Sequence, residues 1–303
     1  MSRRFIVAAA QYPIEEIASI DAYEAKVARW IGEAAAHGAK LAVFPEYGIM
    51  ELAAAFPHAA GDLALSLGVL GPLVDEVDAL HQALARRHDM HILASSAPVQ
   101  GGDGRYRNVA RLFTPQGTVG RQEKLVMTRF ERDSWDIAAG SPIRVFRTKL
   151  GLIGVSICYD VEFPLIARAQ AEAGAELILC PSATDTLKGY WRVRIGAQAR
   201  ALENQCYVVH APTVGDAPWS PAMDTNRGAA GLYGPPDAGF PDDGVVAVGD
   251  LDQATWLFAE VDLDKVTAVR ADGAVLNFRH WSEQGGADAV PPAGPVAEIV
   301  DLT

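Results

Sequence analysis

Cys158 closes the strand-like run Gly151-Leu152-Ile153-Gly154-Val155-Ser156-Ile157 and opens Cys158-Tyr159-Asp160-Val161-Glu162-Phe163-Pro164, after which a helical pattern begins. A thiol at such a junction stands at the rim of a sheet, where the amide N–H groups of the helix start favour its thiolate. A free thiol ionises near pH ~8.5, and such a setting lowers that by one or more units. The chemistry this suggests is nucleophilic attack on an acyl carbon. Two more reactive groups occupy comparable places. Glu46 follows the apolar run Leu41–Phe44, in Val43-Phe44-Pro45-Glu46-Tyr47, and Lys124 follows Thr118–Gln122, in Arg121-Gln122-Glu123-Lys124-Leu125. In layered α/β folds, sites form outside strand ends. A carboxylate in a partly dry pocket has a raised pKa and accepts the thiol proton. An ammonium and the backbone N–H of Tyr159 are suited to stabilising the oxyanion that attack creates.

The elements that must position these groups alternate along the chain. Strands are expected at Phe5–Ala10, Leu41–Phe44, His91–Ala97, Val109–Thr114, Arg144–Arg147, Leu152–Ile157, Leu177–Cys180, Tyr207–His210 and Trp256–Val261. Helical spacing marks Ala22–His37, Asp62–His88 with a break at Gly71-Pro72, Pro164–Ala173, Trp191–Asn204 and Asp262–Arg270. Pro115-Gln116-Gly117-Thr118 is a hairpin turn signal. Lys124–Gly140 has no clean period and reads as a loop wrapping a site, while Pro212–Asp250, rich in Gly, Pro and Asp, reads as long loops around short strands. The hairpins interrupt the βα alternation, so the expected class is α/β with a mixed sheet. No internal repeat or low-complexity linker divides the chain. One domain over 1–303 is expected, with a core at about 4–270 and a tail at 271–303.

Composition narrows the function classes. The 303 residues are 50% hydrophobic and 21% charged, an ordinary globular balance. The net charge of −12, with no basic block, argues against nucleic acid or anionic membranes as partners. The N-terminal run Phe5–Ala10 is too short for a signal peptide, and no stretch reaches the roughly 18 apolar residues of a membrane helix. Cys158, Cys180 and Cys206 are widely spaced and odd in number, neither a disulfide framework nor a zinc pattern. A reducing, cytoplasmic location is expected.

Phe-Pro-Glu, then Glu-Lys-Leu, then Ile-Cys-Tyr-Asp-x-Glu-Phe-Pro, in this order, resembles the nitrilase superfamily of carbon–nitrogen hydrolases. Pro181-Ser182-Ala183-Thr184, Gln198-Ala199-Arg200-Ala201-Leu202-Glu203-Asn204 and Phe258-Ala259-Glu260-Val261-Asp262-Leu263-Asp264 extend the resemblance over roughly residues 4 to 270. It implies a Glu46–Lys124–Cys158 triad in a four-layer αββα sandwich, assembled as a homodimer or higher homo-oligomer and needing no metal or other cofactor. Family members often carry a second glutamate that orients substrate and lysine, and Glu131 is the candidate here. The Tyr-Asp after the cysteine favours amides over nitriles. The expectation is an amidase acting on a small-molecule amide, releasing ammonia and a carboxylic acid through a thioester on Cys158. A nitrilase, an N-carbamoyl amide hydrolase and a non-catalytic scaffold of the same fold are the alternatives. Many members carry Asn-Arg before a glycine where this chain has Pro212-Thr213-Val214-Gly215. No fused synthetase or acetyltransferase domain is expected after Arg270.

Blander readings compete at several positions. Cys180 and Cys206 fit as small buried hydrophobes. Asp160 fits as a cap of the helix after Cys158. Glu131, beside Arg129, Arg132 and Asp133, could form a structural ion pair, as could Arg200 with Glu203. His210 at a strand end is the best alternative base, although no third group marks it as part of a Cys–His pair. Tyr47, Trp135 and, in the segment after Leu177–Cys180, Ser182, Ala183, Thr184 and Tyr190 are the candidate substrate contacts. The Gly/Pro-rich stretch Ser220–Gly249 offers a lid or an oligomer contact.

Overall fold

A computed structural model describes residues 3–286 and 294–303; Met1, Ser2 and the 287–293 part of the expected tail lie outside the described residues. The strands are β1 (Arg4–Pro13), β2 (Ala39–Val43), β3 (His91–Gln100), β4 (Tyr106–Phe113), β5 (Val119–Glu123), β6 (Arg144–Thr148), β7 (Gly151–Val155), β8 (Leu177–Ser182), β9 (Tyr207–Asp216), β10 (Thr225–Asn226), β11 (Gly231–Tyr233), β12 (Val245–Val248), β13 (Thr255–Asp262) and β14 (Glu298–Asp301). The helices are α1 (Ile20–Ala36), α2 (Leu63–Leu70), α3 (Val74–His88), α4 (Arg129–Asp133), α5 (Pro164–Glu172), α6 (Leu187–Asn204) and α7 (Leu263–Asp272).

The strands run in the order β14-β6-β7-β8-β9-β1-β2-β3-β4-β5. β1 joins the two halves. It pairs with β13 from Arg4 to Gln11, with β2 from Ile6 to Ala9 and with β9 at Tyr12 and Pro13. Its side chains alternate between two cores, as a pleat requires. Phe5, Val7 and Ala9 share a core with Leu177, Leu179 and Val209 of the other half. Ala8, Ala10 and Tyr12 face α1, whose Tyr23, Val27, Trp30, Ile31 and Ala34 recur at helical spacing. α6 covers the opposite sheet with Val193, Ala197 and Ala201. Helices thus flank two sheets packed face to face, the αββα arrangement.

The parallel strands β2, β7 and β8 bring their carboxyl ends to one rim. β5 reaches the same rim through the β3–β4–β5 meander.

The structure departs from the sequence expectation in three segments. α6 begins at Leu187, because Thr186 caps it by accepting the Gly189 N–H at 3.1 Å. The loop expected at Lys124–Gly140 contains the short helix α4, which opens with a capping box, Thr128 with Glu131. The expected tail also carries structure: Glu298–Asp301 is β14, parallel to β6 with Glu298 opposite Arg144 and Asp301 opposite Arg147. Leu302 is buried in the core shared by both sheets. A four-residue strand whose partner lies some 150 residues away leaves no local periodicity to read. Leu302→Ala is expected to destabilise the chain by about 2–4 kcal/mol, the cost of emptying a buried leucine site. Urea unfolding measures this, and an unchanged midpoint would show that the C-terminal strand contributes nothing.

Candidate active site

Glu46 is placed by a tight turn gripped from the neighbouring strand. After β2, Tyr47 adopts a left-handed backbone with φ of 53°, an uncommon conformation for a residue with a side chain. β3 carries an extra residue between Ala94 and Ala97 relative to β4. This bulge directs Ser96 at the turn, where its Oγ accepts the Tyr47 N–H at 2.9 Å and its N–H donates to Pro45 O at 3.1 Å. Gly48 is needed here, since a Cβ would lie 2.4 Å from Ser95 Oγ.

Lys124 is fixed at its backbone on both sides. Its N–H donates to Asn108 O at 2.8 Å, and its carbonyl accepts the Gly140 N–H at 2.8 Å. Its Nζ lies 2.7 Å from Glu46 Oε1 and 2.6 Å from Glu131 Oε2. Glu131 Oε2 also accepts the Thr128 N–H and hydroxyl, both at 2.9 Å. The other Glu131 oxygen accepts the Tyr47 hydroxyl at 3.0 Å. Glu131 is therefore bound to the lysine rather than to its arginine neighbours, and Arg129 faces Asp133 instead.

Cys158 opens a 3-10 segment, Cys158–Glu162, and has a left-handed φ of 49°. The N–H of Tyr159 lies in the first turn of this segment, where the helix supplies no acceptor. α6 braces the turn. Arg200 Nη1 donates to Val161 O at 3.2 Å, and Gly196 lets the helix approach so closely that a Cβ would sit 3.0 Å from that same oxygen. Arg200 also pairs with Glu203, as the structural reading expects. Asp160 does not cap a helix. Its carboxylate accepts the N–H groups of Leu125 and Val126, tying the cysteine turn to the chain just after Lys124.

Burial dominates the electrostatics. It pushes the Cys158 thiol well above its ordinary range, helped by the negative charge of Glu46 and opposed by Lys124. This corrects the expectation of a thiol acidified by a helix start: only a short 3-10 turn follows the cysteine, and desolvation outweighs it. Glu46 is raised too, by burial first, against the pull of Lys124. Burial also works against Glu131, but Lys124 and the Thr128 donors outweigh it and hold this carboxyl below its usual range. For Lys124 the desolvation penalty is overcome by Glu131 and Glu46, which hold the ammonium protonated. Burial brings Asp160 up to about 7 despite its two N–H donors. The resting state is thus a neutral thiol beside an ammonium clamped by two carboxylates.

A small lobe of about 80 Å3 holds Glu46, Tyr47, Lys124, Phe130, Glu131, Trp135, Cys158, Ala183 and Met223. A larger lobe of about 560 Å3 opens from Cys158, Tyr159 and Ala183 past Thr184 to a charged rim that includes Glu162, Asp185, Arg192 and Asp224. The structure therefore brings Glu46, Lys124, Cys158, Glu131, Tyr47, Trp135, Ala183, Thr184 and Tyr159 to one cavity. Ala183 has a specific part: its N–H donates to Glu46 Oε2 at 3.0 Å, and its carbonyl faces Cys158 Sγ at 3.7 Å.

Two expected substrate contacts lie elsewhere. The Ser182 side chain is buried, with its Oγ 2.6 Å from His210 Nε2. Tyr190 is buried on the first turns of α6, its hydroxyl accepting from Arg194 and its ring stacked on His210. Strand alternation turns Ser182 inward, and the earlier start of α6 turns Tyr190 inward with it. His210 itself is bonded to Ser182, and burial drops its pKa to about 3.

Sequence reasoning missed Asn108, whose Nδ2 donates to Glu46 Oε1 at 2.9 Å, and Met223 of the β9–β10 connection. Asn108 had a signal, a lone amide just before the apolar pair Val109-Ala110 of a strand. So did Thr128, three residues before Glu131.

The fold is that of the nitrilase type. Residues 6–271 match the family model described as carbon-nitrogen hydrolase, and the chain belongs to that family. It is 34% identical over 269 residues to the "Probable hydrolase YhcX" of Bacillus subtilis (strain 168), covering 89% of this chain and 52% of that protein. The chain thus spans about half the length of that relative. It is 28% identical to an "Aliphatic nitrilase" of Sinorhizobium fredii (strain HH103), with 98% of each chain covered. Among solved structures it resembles an amidase from Nesterenkonia sp. AN1 in complex with acrylamide, with a TM-score of 0.68, 20% identity, and coverage of 89% of this chain and 95% of that one. No helix among the described residues is long and apolar enough to cross a membrane.

Lys124→Met would leave Glu46 and Glu131 buried with no cation between them. Both folded-state pKa values would then rise above the ~4.3 of an unfolded glutamate. The destabilisation should therefore be small near pH 4 and grow with rising pH, reaching about 3–5 kcal/mol at pH 8. Urea unfolding at several pH values tests this; a loss independent of pH would contradict the role assigned to the ammonium.

Proposed function

We propose that the protein is an amidase that hydrolyses primary amides to ammonia and a carboxylic acid. The observation that carries the reading is the convergence of a thiol, a carboxylate with a raised pKa and a clamped ammonium on one buried point. Glu46 takes the Cys158 proton as sulfur attacks the carbonyl carbon, so the C–S bond forms while the charge moves to the carbonyl oxygen. Lys124 and the Tyr159 N–H stabilise that oxyanion. Collapse breaks the C–N bond, and Glu46 returns the proton to the leaving nitrogen. Glu46 then takes a proton from water, hydroxide adds to the thioester, the C–S bond breaks, and the proton goes back to sulfur. Glu131 holds the lysine and, through Tyr47, the wall of the small lobe.

The division of the cavity supports the substrate class. Glu46, which must protonate the leaving group, borders the small lobe walled by Tyr47, Trp135 and Phe130, the narrower of the two, so the smaller substituent of the substrate faces it. The acyl part then extends into the larger lobe toward its charged rim. A nitrile also fits the small lobe, and the Sinorhizobium relative carries the name of a nitrilase. Tyr159-Asp160 after the cysteine and the amidase among the structural neighbours favour the amide. The test is ammonia release from primary amides, their N-alkyl derivatives, N-carbamoyl compounds and the matching nitriles. Primary amides should react at least tenfold faster than the others, and Cys158→Ala should abolish the reaction. Equal release by the Cys158→Ala protein would refute the reading, and a preference for nitriles would replace it with a nitrilase.

We also propose a homodimer through α6, whose Leu187, Trp191 and Ile195 recur every four residues and remain 38%, 48% and 62% exposed. Sedimentation should show a dimer that Ile195→Glu converts to monomer; a wild-type monomer at micromolar concentration would refute it.

A further inference from the structure

Asn108 has no exposed surface, and both its backbone and its side chain meet the proposed catalytic groups. Its carbonyl accepts the Lys124 N–H at 2.8 Å, and its Nδ2 donates to Glu46 Oε1 at 2.9 Å. Its Oδ1 is buried with no hydrogen-bond partner among the described residues. A buried acceptor without a partner costs stability, and an apolar side chain of similar size would relieve that cost. The amide is held with its N–H toward Glu46, because the opposite orientation would set an oxygen against the carboxylate. We infer that Asn108 is a positioning residue that binds Glu46 in its proton-accepting, ionised form and, through its carbonyl, keeps the lysine in register with it.

The charged and titratable groups facing Glu46 among the described residues are Lys124 from the end of β5, Glu131 from α4, the Cys158 thiol from its 3-10 turn, the Cys180 thiol from β8 and Tyr47 from its own turn. Lys124 is shared with Glu131, so among the described residues Asn108 supplies the one side-chain N–H that Glu46 does not share with another carboxylate. A donor to the ionised form lowers a carboxyl's pKa, and removing it raises that pKa. A base must be ionised to act, so loss of the amide should move the acid limb of the pH profile upward and leave the alkaline plateau in place.

This inference rests on the role of Glu46 as base for Cys158, and its test does not require turnover. Alkylation of Cys158 by iodoacetamide is followed from pH 5 to 9 in the wild type, Asn108→Leu and Asn108→Asp, together with the profile of kcat/KM for a primary amide. Asn108→Leu should react about tenfold more slowly than wild type near pH 6 and approach it by pH 9, an upward displacement of about one unit. Asn108→Asp, with nearly the same shape and an added acid, should move the limb in the same direction and serves if the leucine variant does not fold. A loss of equal size at every pH would show that Asn108 only shapes the site, and an unchanged profile would show that it does not act on Glu46. Either result overturns the inference. If the wild type hydrolyses no amide, the proposed reaction fails, and the alkylation profile still decides the role of Asn108.

Discussion

An ammonium held between two carboxylates in a dry interior is the constraint on which the rest of the site depends. Lys124 is 1% exposed, with partners at 2.6 and 2.7 Å. Such a group is tolerable only while both partners stay in place, because an unpaired buried charge is far more costly than an imperfect contact. The partners come from the turn after β2 and from α4, and the lysine itself from the end of β5. These segments must therefore arrive together. The contacts around them serve that end: the Ser96 bulge grips the Glu46 turn, the capping box fixes Glu131, and Asp160 ties the cysteine turn to the chain after Lys124.

The same burial shapes the proposed chemistry. A thiol pushed upward by desolvation gains nothing from ionising alone. Passing its proton to Glu46 changes which atom is negative without changing the total charge of the cluster. A proton transfer of that kind avoids the solvation penalty that would oppose releasing a proton to bulk water. Burial raises Glu46 as well as the thiol, so the carboxylate is a stronger base than an exposed one would be.

The sequence disclosed the framework more readily than the details of the site. Strand ends followed by Glu46, Lys124 and Cys158 were readable because buried strands are short apolar runs and the polar residue after each marks the exit. The alternation of strands with helices, interrupted by hairpins, gave the layered class. What remained hidden depends on distant partners. Ser182 and Ala183 are adjacent, yet only Ala183 meets the cavity, and that choice is fixed by the pairing of β8 with β9. β14 is invisible until β6 is beside it. The acidity of Cys158 was misjudged because a local motif suggests a helix terminus but does not report how deeply the fold buries it.

β1 is made early in the chain, yet its partners lie near residues 41, 213 and 259. Contacts of such separation form slowly, since the loop-closure entropy is lost before the contacts return anything. Glu46 and Lys124 belong to the β1–β5 side of this junction, Cys158 to the β6–β9 side. A chain that has folded only one side possesses the proposed base without the proposed nucleophile, or the reverse. Competence would thus appear in one late step, when β1 docks against β9, and folding intermediates would carry a thiol with no partner to deprotonate it.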